Sequence, residues 1–379
     1  MIPRERVLAV FAHKIPDRVP HLEQGVASTV ASEILGRTAD TGGGEFRRKG
    51  LDAALAGAQA HEDYVDRSIR DWCDLVEALD FDAVVTPWPG GGDVRKRLDE
   101  NTYLLGDESS DDWEILRFDA WSDTLYAVDS AERRGGLERL EKKLRAAEIE
   151  HGRRQKPSSS DFWPVSRMLE RFRGKRAIGG PSGIGVPMRS PWLEAIAARP
   201  DLIRSHLEMQ ADIACEQIEV LAGMGVDFIW GGGDLAWNGG PVYSPQKFRE
   251  LVLPALKRIA AKCRELGLPY FFRSDGILWP IADMLFGESG VHGYGEIDAQ
   301  AGMDIAEIRR RFRHLLLWGN VDCAKTLVSG TPEQVKAEAI ACMEKAGTGH
   351  ILGSSNVIHA GVPARNFLAI VEARREYGP

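Results

Sequence analysis

A single (β/α)8 barrel, an α/β fold with an insertion after its second strand, is the architecture the sequence predicts. Three observations carry it. Short apolar runs, each followed by Gly, Pro, Asp or Asn, recur at 19–23, 81–86, 176–179, 227–230, 269–273, 291–294, 315–318 and 349–352. Helical patterns lie between most of them. Those over 201–224 and 245–266 close at Gly225 and Gly267, where a glycine is expected just past a helix C-terminus. Finally, no GxGxxG follows an early strand: GGPSGIG at 179–185 and WGGGD at 230–234 lack that spacing, which tells against a doubly wound dinucleotide sheet. Eight parallel strands alternating with helices match the barrel.

The elements follow in order. The opening RERVLAVFAHKIPDRVP reads as an amphipathic helix and a Pro-bounded turn into the first strand. From about 90 to 160 the alternation breaks. ENTYLLGDESSDDWEILRFDAWSDTLYAV reads as short antiparallel strands, and ERRGGLERLEKKLRAAEIEHGRRQK as a charged, solvated helix. This stretch is predicted to be an insertion beside the barrel mouth, within one domain over 1–379. Its basic ending, HGRRQK, suits a solvated helix end better than a site for an anionic partner.

Composition narrows the function classes. With 48 Lys and Arg against 56 Asp and Glu, the net charge is −8. That offers no basic face to neutralise phosphates, so no nucleic-acid partner is expected. No run approaches the roughly 18 apolar residues of a membrane span. The N-terminus has charges scattered through its apolar stretch and no small-residue cleavage site, unlike a signal peptide. A soluble cytoplasmic enzyme is the expectation. The five cysteines (Cys73, Cys215, Cys263, Cys323 and Cys342) form no CxxC pair, so neither a disulfide framework nor a zinc ribbon is suggested. Only Cys323, in GNVDC, sits where chemistry is plausible.

In such barrels the reacting groups come from the C-terminal strand ends and the loops beyond them. In order these are His21, Glu23 and Gln24; Thr86 and Trp88; Ser182; Asp234, Trp237 and Asn238; Arg273 and Asp275; Tyr294 and Glu296; Asn320 and Asp322; Ser354, Asn356 and His359. Carboxylates thus converge with one strand-end arginine, as needed to position an anion, bind a hard metal or tune an acid–base pair. Glu23, Asp234, Asp275 and His359 are the catalytic candidates. Arg273, His21, Trp237, Asn238, Tyr294, Glu296 and Ser354 are candidates for substrate binding, and Glu23, Asp275, Glu296 and His359 for a metal. Plainer readings stand beside these. Asp322 can cap the following turn, Asp275 before Gly276 can be a turn residue, and His359 can be satisfied by backbone. His21 and Glu23 flank Leu22 and so share one face of the strand. That face is either the mouth or the helix layer. Trp230, Trp237 and Trp279 can pack or can line a pocket for a flat ligand.

Six segments together resemble the uroporphyrinogen decarboxylase superfamily: PRERVLAVFAHKIPDRVP, GDLAWNGGPVYSPQKFRELVLPALKRIA, RSDG, AGMDIAEIRRRF, GNVDCAKTLVSGTPEQV and HILGSSNVIHAGVPARNFLAIVEARREYG. The resemblance implies a (β/α)8 barrel, commonly dimeric, and an activity drawn from decarboxylases or corrinoid-linked methyltransferases. The decarboxylases are associated with RQAGRY after the first strand and an aspartate after the second. Here HLEQGVAS and VVTPWPG stand in those places, and Glu23 would repel a substrate with many carboxylates. The thiol-methylating branch binds zinc through His-x-Cys and a later Cys. The matching positions are Arg273, Asp275 and Ser354 or Ser355, so the Cys ligand set for zinc is missing.

What the resemblance leaves is the branch that moves a methyl group from a small molecule, often a methoxylated aromatic, to a corrinoid on a separate protein. That branch commonly shows His-Ser-Asp-Gly where this chain has Arg273-Ser274-Asp275-Gly276. Arginine is neither metal ligand nor base at neutral pH, but it can clamp a carboxylate or phenolate. Asp234 and Asp275 would order it, with Glu23, Glu296 or His359 assisting as acid, base or ligand to a divalent metal. No DxHxxG corrinoid motif occurs in the chain, so the corrinoid protein would be a partner. The alternatives are a metal-independent decarboxylase of a smaller carboxylated substrate and, last, a non-enzymatic tetrapyrrole-binding accessory protein.

Overall fold

In the computed structural model, which describes every residue except Trp88, Asp111, Gly378 and Pro379, the chain is an α/β fold built on a seven-stranded parallel sheet. The strands Ala83–Val85, Ala177–Pro181, Phe228–Gly231, Tyr270–Arg273, Gly293–Gly295, Leu316–Trp318 and His350–Ile351 are neighbours in chain order. Each falls on one of the predicted runs, and helices intervene. Pro200–Met224 ends at Gly225 in the left-handed conformation, as its C-terminal glycine foretold. The predicted rim residue Trp88 lies outside the described residues.

The first predicted strand departs from expectation. Segment 19–23 forms an isolated parallel bridge, His21 with Leu352, rather than a strand. Pro20 has no N–H to donate to a ladder, and it only accepts, from Leu352 N at 2.8 Å. The segment nevertheless spans both edges of the sheet. Leu22 N donates to Leu352 O at 3.0 Å, and Asp82 N donates to His21 O at 2.9 Å.

Alternation along the strands separates two layers. Ala83, Val85, Phe228, Trp230, Phe271, Leu316, Trp318 and Ile351 share one buried cluster with Leu22. Val84, Ile229, Phe272, Tyr294 and Leu317 face a second cluster shared with the helices. The first cluster is crowded with aromatics because neighbouring strands contribute glycine. A Cβ on Gly293 would lie 2.4 Å from the Phe271 ring. Helix Pro3–Phe11 closes the N-terminal end of this layer with Val7 and Val10, and Phe11 sits edge-on to Phe228 at 5.8 Å. A buried ion cluster lies at the same end. Asp82 meets Arg374 at 2.6 Å and Arg6 at 3.1 Å, and it accepts His21 N–H at 3.0 Å.

Between Ala83–Val85 and Ala177–Pro181 comes the segment that broke the alternation. It forms a four-stranded antiparallel meander, Val94–Asp99, Thr102–Gly106, Trp113–Asp119 and Thr124–Ser130, followed by helix Ala131–His151. Ser130 caps that helix by accepting Arg133 N–H at 3.2 Å. The basic end beyond it is not free, since Arg154 pairs with Glu216 at 2.5 Å. Among the described residues, no helix is long and apolar enough to cross a membrane.

Candidate active site

Three strand-end loops bring carboxylates together. Asp234 follows Phe228–Gly231, Asp275 follows Tyr270–Arg273 and Glu296 follows Gly293–Gly295, and oxygens of all three lie within 4.8 Å of one another. Local structure enforces this meeting. Ser274, buried, accepts Leu235 N–H at 2.9 Å and so ties the two loops together. Gly276, at φ 80°, lets the 236–237 backbone come so close that a Cβ would sit 2.6 Å from Trp237 N. Glu296 is held at φ 61°, a left-handed conformation that costs a non-glycine residue about 1–3 kcal/mol.

Arg273 reaches into this group. Its Nη2 pairs with Glu296 Oε1 at 2.8 Å, and its guanidinium lies 5.0 Å from the centre of the Trp230 ring. Arg273 Nε and Trp230 Nε1 are buried and without a protein partner. The arginine therefore keeps an unused donor beside its ion pair. The ordering partner is Glu296 and the stacking partner Trp230, in place of the Asp234 and Asp275 expected from the sequence.

The excess of negative charge appears in the acidities. Asp275 is pushed up to about 7, first by burial and then by Glu296, Asp234 and Asp298, with Arg273 opposing. Burial likewise raises Glu296, against Arg273 and a hydrogen bond from Gln24. At neutral pH Asp275 is poised to hold or release a proton. Gln24 Nε2 donates to Glu296 Oε1 and to Asn356 Oδ1, each at 2.9 Å, and Asn356 Nδ2 donates to Asp275 Oδ2 at 2.7 Å. This chain of amides links two of the carboxylates. Gln24 and Asn356 stand among the strand-end residues of the sequence, but only the structure shows them as its connectors.

The remaining candidates divide. Glu23 is buried and spent: it accepts Ser354 N–H at 3.1 Å, Ser354 Oγ–H at 2.5 Å and His21 Nε2–H at 2.9 Å. Burial lowers the His21 pKa despite Glu23, so the ring is neutral and carries its proton on Nε2, facing the carboxylate. His21 packs on Phe81 at 4.6 Å and near Phe367, which puts it in the helix layer, away from the mouth. Glu23, His21 and Ser354 therefore form a hydrogen-bonded knot in which Glu23 is not a free base, although Glu23 and Ser354 line one small pocket with Gln24, Glu296 and Asn356.

Tyr294 also faces the helices. It is buried, with its hydroxyl donating to Ser274 O at 3.1 Å and lying 3.4 Å from Glu296 O. Strand alternation would put Glu296 on the same face, but its left-handed backbone turns it away toward Arg273, and Tyr294 is left tying the two loops together from the helix side. His359 has both ring nitrogens committed: Nδ1 accepts Gly361 N–H at 3.1 Å and Nε2 donates to Cys323 O at 3.0 Å. It stays outside the carboxylate group. Trp237, 65% exposed, and Asn238 stand free at the rim. Asp322 caps the following turn, accepting Ala324 N–H at 2.8 Å. Burial raises the Cys323 thiol, which keeps it protonated and unreactive.

As a donor set, Asp234, Asp275 and Glu296 offer hard oxygens and no thiolate or imidazole. That fits a divalent cation of the magnesium or manganese kind better than zinc. Of the four metal candidates, Asp275 and Glu296 join the set and Glu23 and His359 do not.

The raised pKa of Asp275 has a consequence for stability. The folded chain binds a proton between about pH 4 and 7 that the unfolded chain does not, so stability falls as pH rises from about 4 to 7 and levels off above it. Asp275→Asn removes this cost and can still accept from Asn356. The variant is expected to be about 1–2 kcal/mol more stable than wild type at pH 8, after discounting for partial exposure, and equal to it near pH 4. Denaturant midpoints at the two pH values measure this. A difference independent of pH counts against the shift.

Comparison with known proteins follows the fold. Residues 180–377 match the family model described as Uroporphyrinogen decarboxylase (URO-D). Among solved structures, a methyltransferase from Methanosarcina mazei is similar at TM-score 0.62 and 17% identity, covering 99% of this chain and 99% of that one. A B12-independent methionine synthase from Shewanella sp. W3-18-1, in complex with selenomethionine, is 13% identical at TM-score 0.42, over 59% of this chain and 68% of that one. Among curated proteins none matches the chain. The first structural likeness speaks to fold alone, and the second supports no argument.

Proposed function

The chain belongs to the uroporphyrinogen decarboxylase (URO-D) family, and from that premise we propose that it is a methyltransferase. It would take a methyl group from an oxygen of a small substrate and pass it to a corrinoid carried by a separate protein. The observation that carries this reading is Asp275: a half-buried carboxyl poised near pH 7 within reach of the strand-end Arg273 pair. An alkoxide or phenoxide is a poor leaving group, so demethylation needs a proton or a positive charge on the departing oxygen.

The roles follow from the geometry. The carbon–oxygen bond breaks with its electron pair remaining on oxygen, and the methyl group goes to the acceptor. Asp275 gives its proton to that oxygen. Arg273, held by Glu296 and stacked on Trp230, presents the accessible part of its guanidinium to the developing charge. Asn356 and Gln24 hold Asp275 and Glu296 at hydrogen-bond distance. A divalent cation, if bound by Asp234, Asp275 and Glu296, would take the place of the Asp275 proton and polarise the same oxygen. Exposed Trp237 and Val357 leave apolar surface at the rim for a partner-borne macrocycle. The fold-level likeness to the M. mazei methyltransferase agrees with this reading. We take the chain as one barrel over 1–379, closed through segment 19–23, with 90–160 inserted, and working as a cytoplasmic homodimer.

The test is a spectral assay of cobalt(I) corrinoid converting to methyl-cobalt with a panel of methoxylated aromatics, alongside metal analysis of the purified protein. Above pH 7 the rate should fall about tenfold per pH unit as Asp275 loses its proton. A second reading shares the same residue: in a decarboxylase, protonated Asp275 supplies the proton that replaces carbon dioxide. Carbon dioxide release without methyl transfer from any donor would select it.

A further inference from the structure

A cavity of about 640 Å³ lies between the antiparallel meander and the carboxylate cluster. Val26, Phe46, Leu125 and Ile358 give it an apolar wall, Arg47 lines it, and Gln24 stands at its inner end. Gln24 is also the residue that donates to Glu296. One side chain is therefore shared by the cavity wall and the groups assigned to the reaction.

Arg47, whose side chain is solvent-exposed at the cavity wall, makes no ion pair among the described residues, and its only side-chain hydrogen bond there, from Nη1 to Leu125 O, is long at 3.4 Å. Burial draws its guanidinium below the ordinary arginine value, with Glu114 only partly compensating. The other polar groups on the cavity wall are occupied. Asp123 consumes two of the free donors of helix Gly44–Ala56, accepting Glu45 N–H on its Oδ1 at 2.7 Å and Gly44 N–H on its backbone carbonyl at 2.8 Å. The ring of His359 is committed to backbone. What is left is a largely apolar chamber with one exposed, unpaired arginine at its wall, the Asp123 carboxylate held against helix Gly44–Ala56, and the Gln24 amide.

We propose that this cavity is the site for the body of the substrate, and that it selects a monoanion with an apolar or aromatic body, whose permanent charge is held by Arg47. The opposite end of such a molecule points past Gln24 toward Asp275 and Arg273. The inference rests on the methyl-transfer reading for what happens at that far end, but binding in the cavity stands without it. It also assigns a function to the meander, because Ser122, Thr124 and Leu125 of its last turn and strand form one wall. Two arginines then divide the work. Arg47 holds charge that is always present, and Arg273 meets charge that appears only as the bond breaks.

Isothermal titration of the full chain with phenylbutyrate and with its neutral amide tests this. The carboxylate is expected to bind at least about tenfold tighter than the amide, as a charge-assisted pair in a half-buried site should. Arg47→Gln should bring the carboxylate down to the level of the amide. Thr124→Trp, an exposed position on the cavity wall, should weaken both ligands by filling the space while leaving Arg47 in place. Equal affinity for the two ligands, unchanged carboxylate binding in Arg47→Gln, or no binding of either ligand to wild type overturns the proposal. Methyl transfer is read separately. Its absence with selective phenylbutyrate binding intact counts against the reaction alone.

Discussion

Replacing Arg273 with glutamine is expected to lower kcat/KM for methyl transfer by about 10²–10³-fold, the scale seen when one preorganised donor to a developing oxyanion is lost. The loss should fall mainly on kcat, because the charge Arg273 meets develops in the transition state. Two further effects reinforce it. Glu296, buried and paired at 2.8 Å, loses its cation and is driven further toward its protonated form. Asp275 loses the same lowering influence, so its pKa should rise and the alkaline limb of the pH profile should move upward. Arg273→Lys should recover little. An ammonium supplies charge, but not the planar fork that pairs with Glu296 while stacking on Trp230. Steady-state kinetics from pH 6 to 9 would decide: an Arg273→Gln enzyme within threefold of wild type, with an unmoved profile, sinks the role assigned here.

The largest effect on stability is expected far from that site. Asp82→Ala should destabilise the protein by about 3–5 kcal/mol, the range for breaking a buried ion pair by removing one partner. Asp82 and Arg374 are both fully buried and meet at 2.6 Å. Arg6 reaches the other carboxylate oxygen at 3.1 Å, and the backbone N–H of His21 is held at 3.0 Å. One carboxylate therefore ties the N-terminal helix, the segment that bridges the sheet edges, and the C-terminal helix Ala364–Glu376. Without it, Arg374 keeps mainly the carbonyl of Asp80, at 2.9 Å, and a distant Asp80 carboxylate at 3.7 Å. Its pKa is already drawn down to about 10 by burial. Asp82→Ala combined with Arg374→Met should recover much of the loss, because the pair taken out together leaves no orphaned charge. Urea midpoints of the two variants test this, and a double variant as unstable as Asp82→Ala would refute it.

Several features were legible before any coordinates. The positions of seven parallel strands agree with the apolar runs to within a few residues, because a strand buried on both faces must be apolar throughout its short length. The antiparallel meander and charged helix were visible as a break in that alternation. The Arg273-Ser274-Asp275-Gly276 cluster was visible too, since so many polar residues at a buried strand end are hard to explain otherwise. Strand-end position also put Asp234 and Glu296 among the candidates. The segment at 19–23 misled because apolar content does not reveal a missing donor. Pro20 leaves one bridge where a strand was expected.

What the sequence determined by itself was periodic and local: the fold class, the order of elements, and the list of rim residues. Which of those residues meet was decided by tertiary structure alone. Tyr294 and Glu296 are two positions apart, yet one is buried against helices and the other turns through a left-handed backbone to meet Arg273. Glu23 and Asp275 are both acidic strand-end residues. Three donors exhaust the first, while burial and neighbouring carboxylates keep the second near neutrality. Arg47 carries no signal in the chain at all. It gains meaning only because a wall formed some 78 residues later makes a cavity beside it without pairing its charge. The physical reason is the same in each case. Hydrophobic periodicity is a property of neighbours along the chain, whereas acidity, pairing and enclosure depend on distances between segments that only the packed fold sets.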